Sequence, residues 1–219
     1  MASDDDSTLL TRWREGDLVA GQQLFGRHFA RVERFFVNKV VAEHVGDLVQ
    51  ETFVACVEAR DRISEGKHFK AYLLGVAHHV LCAHLRRKYA GSETDVLEQS
   101  ALGHSGGSPS SVMARHEEQQ ILLEALRLLP LRYQTVLELF YWEGMRSDDI
   151  AAVMGVPAAT ARTWLRRARH ELEAALGKVS RSREALHSTL TRLDDWAASC
   201  GREVAANTPR GRRDVAGAV

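Results

Sequence analysis

The chain lacks most of the features that mark a secreted, membrane-spanning or catalytic protein. Of its 219 residues only three are cysteines, Cys56, Cys82 and Cys200, with no CxxC pair among them. That pattern does not suggest a disulfide framework, and an odd number of scattered thiols fits a reducing cytoplasm. The N-terminus, MASDDDSTLL, is acidic and has no basic start followed by an apolar run, so no signal peptide is expected. No apolar run approaches membrane-spanning length. Net charge is absent as well: 29 Lys and Arg balance 29 Asp and Glu. No global positive field would draw the chain onto nucleic acid, so any such binding has to come from a local basic surface. No glycine-rich phosphate loop and no nucleophile–base pairing are visible. The chain is therefore not expected to be an enzyme, nor to carry a cofactor or a metal. His78 and Cys82, four apart on one helix face, could form half a metal site, but no second ligand pair follows at zinc spacing.

What is present is helical periodicity. Hydrophobic residues make up 45% and charged residues 26%, an ordinary balance for a soluble globular chain. Few segments alternate with period two, which predicts an all-α fold with almost no sheet. Residues 7–89 are dense in apolar residues at helical spacing and contain no proline. Residues 90–112 bring Gly91, Gly103, Gly106, Gly107, Pro109 and several serines, and read as a flexible linker. Periodicity returns over 113–177. The remainder, 178–219, is an extension. Leu186, Leu190, Leu193 and Trp196 predict one amphipathic helix over 180–199, and a disordered tail rich in Gly, Arg and Ala follows.

The most informative stretch is SDDIAAVMGVPAATARTWLRRARHEL, Ser147 to Leu172. Ser147 is a good N-cap, followed by Asp148 and Asp149 where a helix N-terminus favours negative charge. Ile150, small Ala151 and Met154 face inward. Gly155 permits the left-handed backbone that ends a helix, and Pro157 opens the next. In the second helix Ala161, Trp164, Leu165, Ala168 and Leu172 form an apolar face. Arg162, Arg166 and Arg169 form one polar stripe, with Thr163, Arg167 and His170 beside it. A helix anchored on one side and basic on the other suits the DNA major groove. An ordinary amphipathic helix with a solvated arginine face is the plain alternative. The small residue, the glycine and the apolar positions falling together at helix-turn-helix offsets argue against it. Upstream, RHEEQQILLEALRLLP stops at Leu129-Pro130 and LRYQTVLELFYWEG at Gly144, so four helices are expected here. Leu126, Leu129, Val136, Leu137, Leu139, Phe140 and Tyr141 are their expected core.

The run from Leu128 to Leu172 resembles region 4, the C-terminal domain of bacterial RNA polymerase sigma factors of the sigma-70 family. Leu129-Pro130, Gln134, Val136-Leu137, Tyr141, Glu143-Gly144, Ile150-Ala151, Gly155-Val156-Pro157, Thr160, Arg162 and Arg167-Ala168 stand at that family's spacing. The resemblance implies −35 element contacts from Thr160, Arg162, Thr163, Arg166, Arg167 and Arg169. Response regulators share a similar helix-turn-helix, so the first half of the chain decides.

There, GDLVQETFVACVEA puts Leu48, Val49, Thr52, Phe53, Cys56 and Val57 on a broad apolar face, with Asp47, Gln50, Glu51 and Glu58 opposite. Read by itself, such an acidic face is usually only solvated. DLVQETF, however, closely resembles sigma region 2.2, whose helix docks on the clamp of the largest polymerase subunit. The resemblance makes Asp47, Gln50 and Glu51 the polymerase contacts. HFKAYLLGVAHHVLCAHLRRK then carries Phe69, Tyr72, Leu73, Val76, Ala77, Val80, Leu81 and Leu85 on an amphipathic helix with a basic end. It is similar to regions 2.3 and 2.4, which melt the promoter and read the −10 element. His79 then faces the flipped base, and Arg86, Arg87 and Lys88 hold phosphates. The resemblance also implies that the loop of about Arg60 to His68 helps form the base pocket. His79 and Ala83 depart from the Asn and Asp of many relatives, and Trp164 stands where a smaller or polar residue is usual and reads as core packing.

Two motif sets in the right order, with a linker in place of a central domain, resemble the extracytoplasmic-function group. The implied fold is two small helical domains, region 2 and region 4, with a helical and disordered C-terminal extension. The implied function is a cytoplasmic initiation factor. It binds core RNA polymerase and promoter DNA and not a membrane, and its control comes from an anti-sigma factor or from its own extension. Two alternatives stay open: a stand-alone helix-turn-helix regulator, and a sigma-like module that only sequesters an anti-sigma partner.

Overall fold

The computed structural model describes residues 4–63, 69–89, 97, 98, 100 and 117–179, and every element there is helical. Most of the expected linker, residues 64–68 of the expected base-pocket loop, and the whole C-terminal extension with its expected helix over 180–199 lie outside the described residues. The first half holds α1 (Asp6–Arg14), α2 (Leu18–Val37), α3 (Ala42–Glu58), a 3-10 turn (Arg60–Arg62) and α4 (Phe69–Lys88). The second holds α5 (Glu117–Leu128), α6 (Leu131–Tyr141), α7 (Ser147–Met154) and α8 (Ala158–Val179). Among the described residues there is no strand, only an isolated bridge between Ser100 and Pro130. Beside it the Arg132 amide donates to the Leu97 carbonyl, so the connecting chain touches the start of α6.

The helix ends follow from local chemistry. The Asp5 carboxylate accepts from the Thr8 amide at 2.8 Å, and Asp17 accepts from the amides of Val19 and Ala20 at 2.9 and 3.0 Å. Both satisfy amides that a helix start leaves unpaired. Gly155 closes α7 in the left-handed conformation, at φ 65°, as the helix-turn-helix pattern predicts. Ser147 is not the cap. The Ile150 amide bonds to the Arg146 carbonyl, so the helical ladder starts one residue earlier and Arg146 takes the cap position.

α4 is more than the one-sided amphipathic helix expected. Leu73, Ala77, Val80, Leu81 and Leu85 are buried as predicted, while Tyr72 and Val76 are only half-buried. Ala71, His78 and Cys82 are also buried, and with half-buried Gly75 they form a second face on the other side of the helix. α7 of the second half packs on that face. A Cβ at Gly75 would lie 3.8 Å from the Val153 Cα, so the two helices meet backbone to backbone.

The halves are further joined by buried charge. Lys39 has 0% exposure. Its ammonium pairs with Glu138 of α6 and donates to the Phe35 carbonyl at 2.7 Å. Burial lowers the Lys39 pKa and the Glu138 charge opposes that shift. The Glu143 carboxylate is gripped by Arg31 and Arg34, each at 2.5 Å, and the Glu143 carbonyl accepts from Lys70 at 2.7 Å. Arg127 and Gln134 bond to Asn38 at 2.8 and 3.1 Å.

Within the first half, α1 crosses α2 at Gly21. A Cβ there would sit 2.4 Å from Trp13 Cδ1, whose ring meets Phe25 edge-on at a centroid distance of 4.8 Å. Gly21→Ala is therefore expected to destabilise the chain by about 1–3 kcal/mol through displaced packing. Gly26→Ala, on the same helix with nothing within 4 Å, should be neutral or slightly stabilising. Urea unfolding of both variants checks this, and equal midpoints would rule out the Trp13 contact as the cause.

Candidate nucleic-acid and polymerase interfaces

The basic side chains singled out in the sequence gather on two surfaces. On α8, Ala161, Ala168 and Leu172 are buried and hold the helix against α5, α6 and α7. Arg162, Arg166, Arg167 and Arg169 are exposed, with Thr160 and Thr163 half-exposed beside them. Not all of these are equally free. The Arg169 guanidinium lies over the rings of Phe140 and Tyr141, at 5.0 and 5.6 Å from their centroids. This cation–π contact ties it to α6. The Arg162 contact to Asp148 at 3.5 Å is long and solvent-exposed, which costs little to exchange for another anion. Thr163 donates its hydroxyl to the Ala159 carbonyl. Trp164 is half-buried against the core beneath the Arg132 guanidinium, consistent with packing rather than readout.

The second basic surface is the end of α4, where His79, Arg86, Arg87 and Lys88 are all exposed. Lys88 lies over the Tyr89 ring at 5.7 Å, and Arg87 reaches Glu51 of α3 at 3.5 Å. That contact links the basic end of α4 to the acidic face of α3.

Asp47, Gln50 and Glu51 are exposed together on α3. Leu48, Val49, Thr52 and Cys56 are buried, and burial pushes the Cys56 thiol up to about 12, far from reactivity. Val57, expected on the apolar face, is 50% exposed, and neighbouring Val54 is 48% exposed. Both line an apolar groove of about 750 Å³ with Phe25, Phe29, Phe53 and Gln50, rimmed by Glu33 and Glu58. The polar face and this groove therefore share α3. The groove was not read from the sequence. Its signal was present, since Val54 and Val57 extend the apolar stripe beyond what one buried face needs.

The charged residues between the halves also went unread. Lys39 sits inside VNKVV and Glu138 inside VLELF, each a charge enclosed in an apolar run. Such a charge points either to solvent or to a buried partner, and only tertiary contacts decide which. No group of three or more metal-ligating side chains occurs among the described residues. Cys82 and His78 contact each other at 3.7 Å, but as buried neighbours on α4.

His78 is pushed down to about 4, chiefly by burial, with Lys39, His79 and Arg86 adding repulsion. Between the ordinary value near 6.5 and that value, the unfolded chain takes up a proton that the folded chain refuses. Folding stability must therefore fall as pH drops through that window. From pH 7.5 to 5 the loss is expected to be about 2 kcal/mol from this residue. His78→Gln should remove that part of the pH dependence. Denaturant midpoints of both proteins at the two pH values measure it, and parallel losses would exclude His78 as the source.

Comparison with known proteins adds to this geometry. The sigma-70 region 2 family model matches residues 24–90, and the sigma-70 region 4 model matches residues 119–172. The chain is similar to the ECF RNA polymerase sigma-E factor of Escherichia coli (strain K12), 27% identical over 177 residues, covering 77% of this chain and 92% of that one. It is similar to the RNA polymerase sigma factor CarQ of Myxococcus xanthus, 29% identical over 179 residues, covering 78% and 97%. Its fold resembles the sigma factor RpoE of Bartonella quintana, solved in complex with the anti-sigma factor NepR. There the TM-score is 0.56 at 18% identity, over 71% of this chain and 96% of that one.

Proposed function

The chain belongs to the sigma-70 family, in its extracytoplasmic-function group, and from that premise we propose how its surfaces divide the work of promoter recognition. It is an initiation factor that joins core RNA polymerase and directs it to promoter DNA. The observation that carries the division of labour is the separation of an acidic face from two basic ones in a chain of zero net charge. The α3 face of Asp47, Gln50 and Glu51 takes the polymerase clamp, and the neighbouring apolar groove gives that contact a dry, shape-complementary component. The α8 surface enters the −35 major groove through Thr160, Arg162, Thr163, Arg166 and Arg167. Arginine offers bidentate pairing to guanine there, about 1–3 kcal/mol of discrimination per good pair. Arg169, held over Phe140 and Tyr141, acts on phosphate rather than on a base edge. His79 meets the melted −10 strand while Arg86, Arg87 and Lys88 neutralise its backbone.

We assign no bond-making step to the chain, because phosphodiester synthesis belongs to the polymerase. A cytoplasmic setting follows from that partnership. Among the described residues no helix is long and apolar enough to cross a membrane. The anti-sigma factor in the Bartonella quintana complex supports control by such a partner here as well. A stand-alone regulator would leave the region 2 match over residues 24–90 without a role.

The test is run-off transcription on a pool of promoter fragments with core polymerase. Asp47→Arg/Glu51→Arg is expected to lose all specific starts while its α8 still binds the −35 duplex. Arg166→Ala/Arg167→Ala should weaken duplex binding by about 10- to 100-fold and flatten its salt dependence. Undiminished starts from the α3 double variant would sink the docking reading. Unchanged duplex affinity in the α8 variant would sink the −35 reading.

A further inference from the structure

Two imidazoles stand where the acidic face of α3 meets the basic end of α4. We propose that His44 and His84 take up one proton as a unit, and that this charge weakens docking on polymerase while it strengthens the hold on promoter DNA. The inference rests on the reading that Asp47, Gln50 and Glu51 take the clamp and that Arg86, Arg87 and Lys88 hold phosphates.

Geometry carries the pairing. The rings come from different helices and meet edge to face, with centroids 4.9 Å apart and planes at 61°. That is close to the ~5 Å at which two imidazoles share one N–H···N hydrogen bond. His84 Nε2 is buried without a hydrogen-bond partner. Such a nitrogen is costly to leave unpaired, and a proton shared with the second ring gives it a charge-assisted bond. His44 is the open member, its side chain 37% exposed and its Nε2 3.7 Å from the outward Glu43 carboxylate.

Position carries the consequence. His44 lies one turn before Asp47 and two before Glu51, at the N-terminal edge of the docking face. His84 lies one turn before Arg87 and Lys88, on the same side of α4. Imidazole is the one ordinary side chain whose charge changes between pH 5 and 8. A proton on the pair sets a cation beside the carboxylates that meet a basic clamp, and like charge lowers that affinity. The same cation stands next to the side chains that hold phosphate and adds to their field.

The surroundings limit the uptake to one proton. Burial, then His44, Arg87 and Lys88 hold His84 below the ordinary imidazole value, and Glu51 opposes them. A second proton meets all of these and the first charge as well. Charges on the neighbouring elements are engaged elsewhere. On α2, Arg27 and His28 hold Asp6, Arg31 and Arg34 hold Glu143, and Glu33 rims the groove. Lys39, in the bend before α3, is turned onto Glu138, and α7 crosses α4 at Gly75, more than two turns before His84. Metal binding is the other use of an imidazole pair, but Arg87 and Lys88 repel a cation and the described residues offer no group of three ligands.

The test is the affinity of core polymerase for the full chain at pH 7.5 and at about pH 6, for wild type, His44→Gln and His44→Lys. On acidification wild type should weaken by about two- to fourfold more than His44→Gln, the effect of one unit charge at ~6 Å in water. The comparison cancels the polymerase's own titration. His44→Lys, charged throughout, should bind at the higher pH as weakly as wild type does at the lower. Salt at about 0.5 M should erase the difference, which a loss of folding would not do. Assembled holoenzyme should show the opposite sign on a promoter fragment with its −10 stretch unpaired, with wild type gaining on His44→Gln in acid by a similar factor. The ring C–H resonances of His44 and His84 should move through one shared transition in NMR. Separate midpoints, equal acid losses in wild type and His44→Gln, or weaker DNA binding by wild type in acid would each overturn the proposal and leave the docking reading intact. Core polymerase binding Asp47→Arg/Glu51→Arg as tightly as wild type would overturn the docking reading, and the proposal with it.

Discussion

One ammonium group sets the arrangement of this molecule. Lys39 is fully enclosed, in the bend between α2 and α3, and its charge is answered by Glu138 from the other half of the chain. Taking a cation out of water costs several kcal/mol, and only a close carboxylate and further hydrogen bonds offset it. The Phe35 carbonyl supplies one of those bonds, and the Phe35 ring lies 4.3 Å from the ammonium. Neither half can bury its own member of the pair without the other. The pair therefore says little about how strongly the halves adhere and much about how they must be oriented.

Other features follow from that orientation. With Lys39 seated against α6, the C-terminal part of α2 lies beside Glu143, which Arg31 and Arg34 hold between them. Gly144, at φ 60°, turns the chain immediately afterwards. α7 then crosses α4 where Gly75 offers no side chain. A helix that serves the first half as a core element thus becomes a platform for the second. Its burial on two sides explains why its polarity is so weakly one-sided and why His78 is held neutral near Lys39.

Charge is partitioned with similar economy. The chain carries no net charge, yet its exposed cations cluster at the end of α4 and along α8, while α3 shows carboxylates beside an apolar groove. Long-range attraction to DNA is thereby kept low, and association with DNA is left to depend on the local surfaces and on the polymerase. The long, solvent-exposed Arg87–Glu51 contact marks where the acidic surface meets a basic one.

Much of this was legible in the chain. Spacing alone predicts the all-α class, the helix-turn-helix with its Gly155 turn, and the exposed arginines of α8, because each depends on residues a few positions apart. Ser147 was misplaced by one residue, since the first ladder bond and not the best capping residue determines where a helix starts. Unread in the chain were the second buried face of α4, the exposed Val54 and Val57 of the groove, and the burial of Lys39 and Glu138. A charge inside an apolar run reads the same whether it reaches water or a partner 99 positions away. Local periodicity decides which faces are apolar. Only the packing of one half on the other decides what covers them.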